Sequence, residues 1–181
     1  MLIRRERPPD APAIRAVTAD AFSAVEHAAP PVEADGVPGE ATLVGWLRED
    51  PGWIPELSLV AETGLPDPQV VGHVVATRGR VGDRPALGLG PLSVRRDHQQ
   101  RGVGSALMHT LLGAADGLGE PVVVLLGEPA LYSRFGFVPA SSLGIEAPEP
   151  AWGDYFQARA LSTWRGEYAG RFTYAAPFDR L

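Results

Sequence analysis

Two short segments of the 181-residue chain carry residue types suited to chemistry. The first, Gln99-Gln100-Arg101-Gly102-Val103-Gly104-Ser105, leaves a polar loop and enters an apolar-periodic stretch, so it reads as the start of a helix. The first N–H groups of a helix have no intrahelical acceptor, and the aligned peptide dipoles place partial positive charge there. Glycines at 102 and 104 remove the Cβ atoms that would hold an anion away from those donors. Arg101, and Arg96 just upstream, can add charge-assisted bonds. The second segment is Leu126-Gly127-Glu128-Pro129-Ala130-Leu131-Tyr132-Ser133-Arg134-Phe135-Gly136-Phe137. Its Tyr132 is a phenol, a weak acid able to hand a proton to a leaving group; taken alone it reads as readily as a core aromatic on a short helix.

Three anion-binding loops compete with a plain glycine-containing helix start. A Walker A loop needs a lysine to reach the phosphates, and the chain has none. A dinucleotide fingerprint wants glycine at 107, which is Leu, and it usually opens the first strand–helix unit of its fold. The acyl-CoA pattern Gln/Arg-x-x-Gly-x-Gly/Ala is satisfied by Gln99, Gly102 and Gly104. Tyr-x-x-x-Gly-Phe at 132–137, downstream of the loop, adds a second mark in the order that pattern requires.

The elements around these segments follow from periodicity. Leu2–Arg7 reads as a first strand; Ile14, Val17, Ala21 and Phe22 fall at helical spacing after Pro8-Pro9-Asp10. A Pro-, Gly- and acid-rich loop over 28–39 precedes a helix over 40–50 carrying Leu43, Val44 and Leu47 on one face. Strand runs over 57–62, 70–77 and 86–94 are joined by Gly64-Leu65-Pro66-Asp67-Pro68 and Gly82-Asp83-Arg84-Pro85, the pattern of an antiparallel meander. From Val103 an amphipathic helix runs through Leu107, Met108, Leu111, Leu112, Ala114, Ala115 and Leu118, and 121–126 is a continuous apolar run, as in a strand covered on both faces. Strand, helix and buried strand in succession make a crossover, so 86–94 and 122–126 should be parallel neighbours. A short helix near 130–135 and strands near 137–138, 156–161 and 171–174 complete the chain. The predicted fold is α/β of the α+β kind: a mixed, mostly antiparallel sheet with helices on its faces. No repeat or biased linker marks a boundary, so 1–181 reads as a single domain, with 145–181 an extension that completes the sheet.

Composition narrows the function. Sixteen basic residues, all arginine, stand against twenty-two carboxylates, a formal charge of −6 that disfavours nucleic acid and mildly favours cationic small molecules. With no cysteine there is no disulfide, thiolate metal site or cysteine nucleophile. His27, His73, His98 and His109 are scattered without ligand spacing, so no metal is assigned, and His98 reads as a solvent-facing turn residue. Met1-Leu2-Ile3-Arg4-Arg5-Glu6 turns charged at once, unlike a signal peptide, and no apolar run reaches membrane-spanning length; the expected setting is cytoplasmic.

On the loop, the Tyr132 segment, Leu57-Ser58-Leu59-Val60-Ala61-Glu62, Leu87–Val94, Phe135–Ala140 and Gly170-Arg171-Phe172-Thr173-Tyr174, nearly the whole chain resembles the GNAT superfamily of acyl-CoA N-acyltransferases, in particular its bacterial YhbS-like subgroup. The resemblance implies a sheet whose two parallel strands splay apart to admit the pantetheine arm of acetyl-CoA. Backbone groups about Leu92, Ser93 and Val94 would pair with that arm, and the segment Gln99 to Ser105, with the amides of Gln100, Arg101, Gly102, Val103, Gly104 and Ser105, would hold the pyrophosphate. Tyr132 would be the general acid toward the leaving thiolate, and Phe135 would lie beside the cofactor. The acceptor implied is a primary amine of a small molecule or peptide. A carboxylate on the strand before the loop often serves as base in such enzymes, but Leu87–Val94 has no ionisable residue; Glu26, Glu40 or a water chain take its place as candidates, with Glu128 a candidate contact to the cofactor arm. The asparagine frequent near the end of the buried strand is also missing, in a chain with no asparagine at all. That missing strand carboxylate keeps a second reading open, a non-catalytic acyl-CoA sensor. The aromatic tail, with Trp164, Tyr168, Tyr174 and Phe178, either completes the sheet or pairs two subunits as a homodimer.

Overall fold

The computed structural model describes residues 1–64 and 66–181; the turn expected over 64–68 therefore lies partly outside the described residues, at Leu65. Strand β1 (Leu2–Arg5) leads through a prolyl turn into helix α1 (Ala11–Phe22), and helix α2 (Gly39–Glu49) follows the long acidic loop. Asp10 organises the entry to α1: its carboxylate accepts the Arg7 amide at 2.7 Å and two Arg4 guanidinium bonds at 2.7 and 3.0 Å. Ile14, Val17 and Thr18 are the buried face of α1, at the i, i+3, i+4 spacing that a half-covered helix needs. Strands β2 (Ser58–Thr63), β3 (Gln69–Val81) and β4 (Arg84–Val94) form the expected meander. β3 runs four residues past its expected end, paired there with β4 from Arg78 opposite Leu87 to Val81 opposite Arg84, and the tail adds a second partner, Arg80 with Thr173 and Val81 with Phe172.

Helix α3 (Val103–Gly117) returns along the sheet and strand β5 (Val122–Leu126) pairs with β4 in parallel, Leu87 with Val123 and Gly88 with Val124. Val103, Leu107, Met108, Leu111, Leu112 and Ala115 are the buried stripe of α3, while Leu118, expected to continue it, caps the helix and is 48% exposed because the helix stops at Gly117. Side chains alternate along β5 between two covered faces: Val123 and Leu125 join the core under α3, whereas Val122 and Val124 join a second core with Phe156 and Phe172. That is why its sequence is apolar without a break.

The remaining elements are helix α4 (Pro129–Tyr132), strands β6 (Val138–Pro139), β7 (Ile145–Glu146), β8 (Phe156–Ala160) and β9 (Gly170–Thr173), linked by short 3₁₀ turns. The strand order is β1-β2-β3-β4-β5-β8-β6, with β9 pairing both β3 and β7. β8 lies antiparallel beside β5 over five residue pairs, so the parallel strand is paired along its outer edge. α1 and α2 cover one face, with Ile14, Val44 and Val60 packed together, and α3 covers the other. The tail thus joins the sheet, and its aromatics pack within the chain: Tyr174 lies 4.7 Å from both Phe172 and Phe178.

A buried polar cluster ties β1, α2, β2 and β3. Arg48 and Ser58 donate to the Glu6 carboxylate, and fully buried His73 has Nε2 2.9 Å from Ser58 Oγ and 3.4 Å from Glu6 Oε2. Burial by itself pushes Glu6 upward, but bonds from His73, Arg48 and Ser58 outweigh it and hold the carboxyl at about 2. Burial lowers His73, so its ring is neutral near pH 7. A carboxyl depressed on folding stabilises above its unfolded value and loses that contribution as pH falls through the folded one. Glu6→Gln is therefore expected to lower unfolding free energy at pH 7 by about 3 kcal/mol. The deficit should shrink as pH falls from about 4.5 toward 2 in denaturant titrations, and a deficit independent of pH would contradict the assignment.

Candidate active site

The gap between β4 and β5 is built into β4. Opposite β3, Val74 pairs with Leu92 and Ala76 with Leu89, leaving Gly90 and Pro91 as a bulge. The rungs to β5 end at Gly88, just before this bulge. Beyond the bulge the Arg95 amide donates to Val71 at 2.9 Å on the β3 side. Backbone groups alternate sides along an antiparallel strand, so those of Leu92 and Val94 face the open edge and those of Ser93 face β3. The Ser93 hydroxyl is buried and donates to Thr18 Oγ1 at 3.1 Å, tying β4 to α1 rather than facing the gap.

At the end of β4 the chain turns sharply. Gln100 has φ 59° and Gly102 φ 81°, and the pair swings the backbone into α3. The first helical bond is donated by Ala106 to the Gly102 carbonyl at 2.9 Å, so the amides of residues 100–105 meet no backbone acceptor among the described residues. No Cβ at Gly102 would meet anything within 4 Å, so the space before the helix start is open. Gln99 is occupied differently: its Nε2 donates to the Val94 carbonyl at 3.1 Å, clamping loop to strand. Arg96 is ion-paired to Asp20 of α1 at 2.9 Å, and Arg101 stands exposed beside the free amides. His98 Nδ1 lies 2.7 Å from Asp97 Oδ1, within the loop's own polar contacts.

Tyr132 ends α4, whose first turn is capped by the Glu128 carboxylate accepting the Ala130 amide at 3.4 Å. Glu128 is exposed. A Cβ on Gly127 would overlap the Tyr132 ring, so glycine there lets the ring lie flat against the chain leaving β5. Gly136, at φ 79°, reverses the backbone and returns Phe137 to the core, where it meets Tyr132 edge-on at 6.0 Å. The spacing of Tyr132, Gly136 and Phe137 is thus a buttress: the last residue braces the first. Tyr132 packs against the same core as Leu92 and Val94, and burial raises its phenol above 10. Phe135 is 4% exposed and stacks edge-on against His109 of α3 at 5.2 Å, so its ring belongs to the core.

Of the two candidate bases, the structure brings one to a cavity. Glu26 sits exposed in the turn after α1. Glu40, in the first turn of α2, accepts the Ala29 amide on Oε1 at 2.7 Å, while its Oε2 is buried with no partner. Glu40 lines a cavity of about 660 Å³ together with Phe22, Leu43, Pro91, Leu126 and Tyr174. No motif signals this cavity, because its walls come from α1, α2, the β4 bulge, the end of β5 and the tail. Among the described residues no group of three or more histidines and carboxylates is placed to hold a metal, and no helix is long and apolar enough to cross a membrane.

Comparison with known proteins agrees with this geometry. The family model for the acetyltransferase (GNAT) domain matches residues 55–139, the stretch from β2 through β6. The N-acetyltransferase YhbS of Escherichia coli K12 is 36% identical over 166 residues, covering 90% of this chain and 88% of the relative. The crystal structure of E. coli YhbS in complex with CoA superposes with a TM-score of 0.82 at 32% identity, covering 99% of this chain and 92% of that one. A GNAT-family acetyltransferase from Brucella melitensis in complex with acetyl-CoA gives 0.76 at 34% identity, over 98% and 97% of the two chains. With its splayed parallel strands, open helix start and match over nine-tenths of its length, the chain belongs to the GNAT family of N-acetyltransferases.

Proposed function

We propose that the protein transfers an acetyl group from acetyl-CoA to a primary amine of a small molecule or peptide by direct attack, with Tyr132 as general acid and Glu40 as base. One observation carries the reading most: the unpartnered amides of residues 100–105 open at the end of the strand edge of Leu92 and Val94, where the Val94 carbonyl accepts from the Gln99 side chain rather than from a neighbouring strand. Those amides suit a pyrophosphate, with Arg101 adding charge at the rim, and the free strand edge suits an amide-bearing arm. Similar proteins have been crystallised with CoA and acetyl-CoA, which supports this reading. The donor supplies an activated thioester carbonyl.

The chain's own residues then handle two protons. Glu40 takes one from the entering ammonium, freeing the nitrogen lone pair for attack; the C–N bond forms and the C–S bond breaks. Tyr132 gives its phenolic proton to the departing sulfur; the second proton that nitrogen loses as the amide forms restores the phenol, and Glu40 discharges its proton to solvent. A buried phenol suits this task, because desolvation disfavours phenolate and keeps the proton in place. The acid form persists at every pH below the raised value, so no alkaline loss of rate from Tyr132 is expected until pH exceeds 10.

Thermal shift tests the donor first. CoA and acetyl-CoA should each stabilise the protein, by about 2.7 kcal/mol at a hundredfold excess over Kd, and ATP alone should not. Tyr132→Phe is expected to lower kcat in a thiol-release assay by about 10²–10⁴-fold with CoA affinity within twofold of the parent. Near-normal turnover would remove Tyr132 from the mechanism, and an absence of turnover with any amine in the parent protein would favour the acyl-CoA sensor. Glu40→Gln should cut kcat/KM by about 10²-fold or more, whereas Glu26→Gln should leave it within about twofold. Equal losses would reject Glu40 as the base.

A further inference from the structure

The cavity beside Glu40 has a composition that says what enters it. On the helix side it presents Phe22 and Leu43; on the sheet side, Leu89, Pro91 and Leu126. The tail closes it with an aromatic wall, in which Tyr174 contacts Phe172 at 4.7 Å and 85°, Phe178 at 4.7 Å and 39°, and Trp152 at 6.5 Å and 67°. Its charged groups are Glu40, Glu149 and Asp179 against Arg171, three carboxylates to one guanidinium. They are not equivalent. Glu149, Asp179 and Arg171 are exposed, where solvent screens them, while Glu40 Oε2 is buried and unpartnered.

A buried carboxylate oxygen without a donor is costly. An ammonium N–H is the complement it lacks, and one that reaches Oε2 from the cavity has to displace the side-chain atoms that now cover it. Around it the walls offer aliphatic surface and aromatic faces, which favour an apolar body and tolerate one cation at the ring face. A second ammonium on the same molecule would have to lie against Leu43, Leu89 or Pro91 without a buried counter-ion. A carboxylate next to the amine would meet Glu40 itself.

We infer, on the basis of the transfer reaction proposed above, that the acceptor is a primary monoamine on an apolar, ring-sized body, held with its ammonium at Glu40 and its body against Tyr174 and Phe178. A cavity of about 660 Å³ is the size that encloses such a small molecule. The tail is thereby the specificity wall, and Tyr174 and Phe178 are its recognition residues; burial raises the Tyr174 phenol, so that wall stays uncharged at any pH where the amine is an ammonium.

The test separates binding from turnover. Calorimetric titration of the CoA-saturated protein at pH 7 with 2-phenylethylamine, cyclohexylmethylamine, spermidine, L-leucine and the neutral isostere 2-phenylethanol reads the cavity directly. The two apolar monoamines should bind at least tenfold more tightly than the other three. Glu40→Gln and Phe178→Leu should each weaken 2-phenylethylamine at least tenfold while the thermal shift with CoA is unchanged, which shows that fold and donor site survive. Tighter binding of spermidine or leucine, equal binding of the alcohol, indifference to both substitutions, or no binding of either monoamine would each overturn the inference. The donor reading fails separately, by loss of the CoA thermal shift, and the enzymatic reading fails separately, if thiol release is absent for every amine that binds.

Discussion

Among the described residues, two rungs of parallel ladder, Leu87 with Val123 and Gly88 with Val124, join β4 to β5. Each strand is held elsewhere, β4 by nine residue pairs to β3 and β5 by five to β8, so the short junction does not endanger the fold. The bulge at Gly90 and Pro91 ends the ladder and leaves the Leu92 and Val94 edge open. Around that opening the other features fall into place. Helix α3 begins at the end of the freed strand, Tyr132 packs on the α3-side core with Leu92 and Val94, and the cavity with Glu40 lies on the face covered by α1 and α2. Had β4 and β5 paired to their ends, the sheet would separate these groups completely.

Local pattern makes one part of this arrangement legible in the amino-acid sequence. The α3 stripe, the unbroken apolar run of β5 and their parallel partnership follow from periodicity and from the handedness of crossovers, since each depends on residues close in sequence. The helix-start loop is legible for the same reason, and Tyr132 through its companions Gly136 and Phe137. Other features are settled by packing between distant segments. Glu26 and Glu40 look alike as sequence; only the docking of α2 against the 28–30 stretch buries one of them. Ser93 lies among residues expected at the cofactor, but the alternation of β4 turns its hydroxyl to Thr18. Arg96, a spare cation for phosphate by its position in the loop, is paired with Asp20, 76 residues earlier.

The tail shows how a segment with weak local signals acquires a definite role. Its strands are short, β7 and β6 having two residues each, and none would persist alone. They are held by a shared aromatic core in which Phe156 and Phe172 are almost fully buried. Once seated, the same segment covers the outer edge of β5, extends β3, and presents Trp152, Tyr174 and Phe178 to the cavity. One stretch of chain therefore finishes the sheet and shapes the pocket, which couples the stability of the tail to the shape of the cavity.

The free donors at residues 100–105 are main-chain amides, and beside them stands a guanidinium. Neither kind of group changes protonation in the range where proteins work. On the protein's side, then, the hold on a bound anion is indifferent to acidity. Under the proposed reaction, sensitivity to pH near neutrality would arise across the sheet, at the carboxylate and the incoming amine, and would bear on acceptor entry rather than on donor loading.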